Sequence, residues 1–242
     1  MGNLIIKWCC EKKVVNEPPL YEDEDEQIPP LYQQISTLDF IKKELEVYFK
    51  DPTDFLQYLK QNEAYMTGGF VLSVLLKLLN KESFESGDLD IFVNKKQKLS
   101  IQSFLECNNY KETKKFNSRK KYGHNDIFDV KEFEKNGKIV QIISLKTTPL
   151  EHIQRFDLSC CKVIWDNKLQ NIFIHDRDIL NKKSQLYLED CNYNSVGRIK
   201  KYIDRGFQIY IRDVNITVIC KSLTVRKISF NKFKGEIERY IQ

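Results

Sequence analysis

No stretch of the 242-residue chain approaches the apolar length of a membrane span, and no signal-peptide core is visible. The seven cysteines contain no C-x-x-C spacing, so they make neither a zinc site nor a secreted disulfide framework. Two of the pairs, Cys9-Cys10 and Cys160-Cys161, are vicinal, and adjacent cysteines rarely bridge each other. The three histidines, His124, His152 and His175, are scattered and read as core or surface residues rather than ligands. There is no internal repeat, no aromatic RNA-binding signature and no zinc knuckle. These absences lead to the expectation of a protein of a reducing, cytoplasmic compartment.

What is present is a core-forming composition. Apolar residues make up 41% and aromatic residues 12%, which excludes wholesale disorder. The net charge of +5 is unevenly spread. An acidic run, Glu22 to Glu26, lies among prolines near the start, whereas Lys111 to Lys121 holds six basic residues against one acid. From Arg198 onward there are eleven basic residues against four acids. Such patches read as solvated surface or as contacts for phosphate-bearing partners. The division expected is a tail over 1–34, a core over 35–182 and a basic C-terminal region over 183–242.

The pattern predicts helices from Ser36 to Phe49, from Asp51-Pro52 onward, over Phe70 to Asn80 and near Gln97 to Cys107. Strands over Ile127–Phe133 and Ile139–Leu145, joined through Asn136-Gly137, form a hairpin. A further strand is expected to carry Cys160 and Cys161 on opposite faces. Ile209 to Cys220 reads as strand or as a helix connection, and Phe230 to Ile241 as an amphipathic helix. The fold class expected is α+β, a mixed or mostly antiparallel sheet flanked by helices with a mainly helical C-terminal region.

The start of the chain, Met1-Gly2-Asn3 followed by Cys9 and Cys10, resembles an N-myristoylation signal with neighbouring palmitoylation cysteines. A single acyl chain binds membranes only marginally, so Gly2 with Cys9 or Cys10 would form the two-chain anchor of a peripheral membrane contact. Ile6 stands where that signal wants Ser or Thr, and the alternative is a plain terminus or an added strand.

Chemistry concentrates between Tyr65 and Val93. Asp88 and Asp90 alternate with Leu89 and Ile91 in an otherwise apolar strand. Strand geometry puts both acids on one face, with Cα atoms roughly 6.6 Å apart, near enough to converge on one or two divalent cations. Gly68-Gly69 opens a helix upstream, and helix N-terminal amides can face a phosphate.

The order Gly-Gly, helix, Asp-x-Asp resembles the active-site signature of the DNA polymerase β-like nucleotidyltransferase superfamily, in the form seen in poly(A) polymerases and CCA-adding enzymes. Arg155-Phe156-Asp157 is similar to a nucleotide-holding motif of the latter, and Arg198 to Phe207 to a shortened basic neck helix. The resemblance implies Asp88 and Asp90 as ligands of Mg2+ or Mn2+, Gly68 and Gly69 as the phosphate-facing pair, and Arg155, Asp157, Lys201 and Arg205 as substrate contacts. It implies transfer of a nucleoside monophosphate from a triphosphate to an acceptor hydroxyl, with RNA, protein or a small molecule as acceptor. The oligomeric state stays open.

Three departures stand out. Leu72-Ser73 replaces the Arg-Asp that follows the glycines in CCA-adding enzymes, and about eighteen residues separate Gly69 from Asp88, so Lys81 to Ser86 must loop out. The place of the third acid holds Gln141, with Asp129 on the preceding strand as the substitute candidate. These departures support an alternative, a catalytically weak module that binds nucleotide, RNA or a partner protein.

Overall fold

Local signals set the N-terminal helices of the computed structural model, which describes residues 37–116, 126–225 and 229–241. Helix α1 (Thr37–Leu45) buries Ile41 and Leu45. Helix α2 (Pro52–Gln61) starts where Asp51 accepts hydrogen bonds from the amides of Thr53 and Asp54 at 2.9 and 3.0 Å, with proline in the first turn. Phe49 and Phe55 stack between them at 3.8 Å. Strand β1 (Tyr65–Thr67) runs into helix α3 (Gly69–Leu78), which is buried on nearly every side. Burial of each of its Leu and Val side chains contributes about 1.5–3 kcal/mol.

The strands form one seven-stranded mixed sheet, in the order β3-β4-β5-β2-β1-β6-β7. They are β2 (Asp88–Asn94), β3 (Lys111–Phe116), β4 (Ile127–Lys135), β5 (Lys138–Leu145), β6 (Val163–Asp166) and β7 (Asn171–Ile174). Within this sheet, among the described residues, only β2 and β5 pair in parallel, because helix α4 (Lys98–Cys107) and the β3–β4 segment cross over between them. Asn136 and Gly137, both with positive φ, turn β4 into β5 and fix their register. One sheet face packs Leu89, Ile91, Val140, Ile142 and Trp165 into the same apolar cluster as α1 to α4. The other face carries Asp88, Asp90 and Gln141, and beyond them a second apolar cluster of Phe92, Val130, Ile143 and Leu145.

Helix α5 (Pro149–Gln154) opens with a capping box between Thr148 and Glu151. The chain then departs from the strand expected around Cys160. Ser159–Cys161 form a 3-10 turn, both cysteines are buried, and β6 begins only at Val163. The Ser184 hydroxyl accepts from the Cys160 amide at 3.1 Å and holds that turn. A second sheet, β10-β9-β8, follows from β8 (Lys183–Gln185), β9 (Gln208–Ile211) and β10 (Val214–Asn215). Ile209 to Cys220 therefore divides: Arg212 at φ +51 turns β9 into β10, and helix α7 (Thr217–Val225) takes the rest. Helices α6 (Ser195–Asp204) and α8 (Phe230–Ile241) complete the C-terminal region, and their buried Ile199, Tyr202, Phe233 and Ile237 belong to the main apolar cluster. Among the described residues no helix is long and apolar enough to cross a membrane.

Candidate active site

The turn from β1 into α3 brings the glycines to the acids. Thr67 pairs with Asp90 across the antiparallel β1–β2 ladder, so the residue after Thr67 lies beside the Asp90 side chain. That residue is Gly68, at φ +74 and ψ −146. A Cβ on Gly68 would stand 3.1 Å from Asp90 Oδ2. Gly68→Ala should therefore cost about 1–3 kcal/mol of stability, read by urea unfolding, because only glycine occupies this backbone region without strain.

Asp88 and Asp90 are half-buried on one face of β2, while Leu89 and Ile91 enter the core on the other. They share a pocket of about 290 Å3 with Gly68, Gly69, Gln141, Cys161, Arg198, Lys201 and Tyr202. Arg205 reaches the same glycine elbow: a Cβ on Gly69 would meet its Nη1 at 3.2 Å. Its guanidinium lies 3.8 Å over the Phe84 ring, within the looped-out segment, and its buried Nη1 has no hydrogen-bond partner among the described residues. Arg198, Lys201, Tyr202 and Arg205 recur at helical spacing and form one stripe along α6 and its end.

Other candidates lie elsewhere. Asp129 pairs in register with Ser144, one residue out of phase with the face that Asp90 and Gln141 share, and is ion-paired to Lys98. That corrects its assignment to the catalytic cluster, because the sheet itself separates it from Asp90. Arg155 is largely exposed, 4.0 Å from Asp126, and does not line the pocket. Asp157 is fully buried, does not line the pocket, and is paired at 2.5 Å to Arg198, which does. Burial works against the Arg198 charge, but Asp157 outweighs it and keeps the guanidinium firmly protonated. Gly2, Cys9 and Cys10 lie outside the described residues.

Of the residues that line the pocket, spacing alone missed Tyr202 and Cys161. The α6 stripe would have found Tyr202. Burial opposes the Cys161 thiolate, whereas the Cys160 thiol and Arg198 favour it, and the net shift is downward.

Asp90 is pushed up from the ordinary 3.8 to about 8, first by burial and then by Asp88; Lys201 and Arg198 offset this only in part. Without a cation it keeps its proton at neutral pH. The folded state then binds more protons than the unfolded chain between about pH 4 and 8, so stability falls as pH rises through that window. Metal-free melting temperatures should decline across it in the wild type and decline less in Asp90→Asn.

Two carboxylates on one face, a neighbouring side-chain amide and a glycine cradle without a Cβ form a hard-oxygen site. That donor set fits Mg2+ or Mn2+. A cation there would displace the Asp90 proton and relieve the repulsion from Asp88. Among the described residues no group of three or more His, Cys, Asp or Glu is placed to hold a metal ion, so further oxygens would have to come from Gln141, water or substrate.

The core is a mixed sheet with the Gly-Gly elbow on β1–α3 facing Asp-x-Asp on β2. Among solved structures, the chain is similar to the Thermotoga maritima CCA-adding enzyme complexed with tRNA, at 16% identity and a TM-score of 0.49 over 77% of this chain and 45% of that one. It is also similar to a tRNA nucleotidyltransferase complexed with a primer tRNA and an incoming ATP analog, at 15% identity and a TM-score of 0.47 over 71% and 49%. The chain thus spans about half the length of these structures. No curated protein matches it. The family model for Gad2, the Gabija anti-defense 2 family, matches residues 39–185, from α1 through β8 and more than half of the chain; the protein belongs to the Gabija anti-defense 2 family.

Proposed function

We propose that this protein is a metal-dependent nucleotidyltransferase that counters the Gabija defence by moving a nucleoside monophosphate onto an acceptor hydroxyl. The observation that carries the reading is the approach of the Asp90 carboxylate to the Gly68 elbow, within one pocket that also contains Asp88 and Lys201. A divalent cation bound by Asp88 and Asp90 would neutralise triphosphate charge and lower the pKa of the acceptor hydroxyl. The chain's own groups do the rest. The α3 N-terminus offers backbone amides to the polyphosphate, and Lys201 and Arg205 add positive charge beside it. Phe156 and Tyr202, which also line the pocket, supply apolar surface for a base or acceptor. In the reaction the acceptor oxygen bonds to the α-phosphorus, the bond to pyrophosphate breaks, and the hydroxyl proton departs. RNA, a protein or a small molecule on which Gabija depends is the acceptor.

Gln141 in place of a third acid favours a second reading, a module that binds nucleotide without transferring it. The two separate in one assay. The protein is incubated with Mg2+, each of the four α-labelled ribonucleoside triphosphates, and RNA, protein and small-molecule fractions from cells carrying Gabija. Label appearing in one fraction supports transfer. Retention of nucleotide with no label moved, for all four triphosphates, supports the binding module instead.

A further inference from the structure

Two departures read from the sequence meet beside the glycine elbow: the looped-out segment Lys81 to Ser86, and Ser73 within α3. The buried Ser73 hydroxyl donates to the Phe84 carbonyl at 2.5 Å, and the Ser86 hydroxyl donates to the Asp88 carbonyl at 2.8 Å. The segment is thereby tied to both elements that carry the site, α3 and β2. It reaches the elbow itself, since a Cβ on Gly69 would stand 3.2 Å from Ser86 Oγ, the same distance as from Arg205 Nη1.

Between these two ties the Phe84 ring meets the end of α6. The Arg205 guanidinium lies 3.8 Å over that ring and 5.2 Å from the centre of the Tyr202 ring. The Arg205 amide donates to the carbonyls of Lys201 and Tyr202, so its backbone is fixed. Its long side chain still needs a partner to hold one rotamer. A carboxylate would hold it by taking up its N–H donors and offsetting its charge. An aromatic face instead holds the flat side of the guanidinium and leaves the in-plane N–H groups available. Nη1 is placed in that way: it is buried beside Gly69 and has no hydrogen-bond partner among the described residues. Leaving such a donor unmet costs free energy, which an anion on the elbow would restore.

We infer that Phe84 is the positioning residue for Arg205, holding its guanidinium by a cation–π contact so that Nη1 is free to donate to a polyphosphate on the Gly68-Gly69 elbow. The inference rests on the reading of this pocket as a metal–triphosphate site. Ser73 acts one step further back, because its hydroxyl fixes the backbone of Phe84.

Calorimetric titration with Mg2+ and inorganic tripolyphosphate tests this without acceptor or turnover. Arg205→Gln should weaken binding by about ten- to a hundredfold. Phe84→Leu, which keeps apolar bulk and loses the ring face, should weaken it by about three- to thirtyfold, whereas Phe84→Tyr should stay within about twofold of wild type. Adding Phe84→Leu to Arg205→Gln should weaken binding no further. That outcome separates positioning from packing, because a packing defect would weaken both backgrounds alike. Circular dichroism melting identifies folded variants, and Phe84→Met takes the place of Phe84→Leu in each comparison if the latter does not fold. Wild-type affinity in Phe84→Leu or Arg205→Gln, equal losses in Phe84→Tyr and Phe84→Leu, or additive losses in the double variant overturns the inference. If wild type binds tripolyphosphate no more tightly than Asp88→Asn/Asp90→Asn does, the metal–triphosphate reading itself falls.

Discussion

Changing Asp88 and Asp90 together to asparagine should lower nucleotide transfer by at least about a thousandfold, since removing even one preorganised charge-stabilising group costs about 10²–10³. Asparagine keeps the volume and a carbonyl oxygen at each position, so the change removes charge and little else. The protein should remain folded. In the absence of cations it should even gain stability near pH 8, where wild-type Asp90 is being forced to ionise next to Asp88. That pairing of outcomes is diagnostic. A structural pair of acids would lose stability on neutralisation, whereas a cation-binding pair loses activity and relaxes. Label transfer and thermal melting measured on the same preparation check both halves, and full transfer by the double variant would rule out the proposed chemistry.

The largest stability effect belongs to Arg198. Its guanidinium faces the pocket on one side and Asp157 on the other, with Asp157 Oδ2 buried and lacking a hydrogen-bond partner among the described residues. Arg198→Ala leaves a fully buried carboxylate without its cation, which should cost about 3–5 kcal/mol in urea unfolding. Arg198→Met with Asp157→Asn removes both charges and fills the space, so it should cost markedly less. If the single and double variants are equally destabilised, packing rather than the buried charge holds α6 against the turn at Ser159–Cys161.

Much of this architecture is legible in the sequence because its signals are local. Asp51-Pro52 opens α2, Asn136-Gly137 turns β4 into β5, and the alternation around Asp88 and Asp90 sets one face of β2. What spacing could not supply is pairing. Asp129 looked equivalent to a third acid by distance along the chain, yet the hairpin register sets it against Ser144 and sets Glu132 against Gln141. A one-residue difference in parity decides which side of a sheet a carboxylate occupies. The reading of Cys160 and Cys161 as alternating strand residues failed for a different reason. Ser184, twenty-four residues away, holds the backbone there in a tight turn. The Asp157–Arg198 pair spans forty-one residues, and no local pattern announces it.

The two walls of the pocket come from separate parts of the polypeptide. Carboxylates and glycine elbow are supplied between Gly68 and Asp90, while the cationic stripe arrives from α6, beyond the residues that the family model matches. On the proposed reading, changes on that late helix alter which nucleotide or acceptor is admitted and leave Asp88 and Asp90 untouched. A change in specificity would then fall between Arg198 and Arg205 rather than on β2.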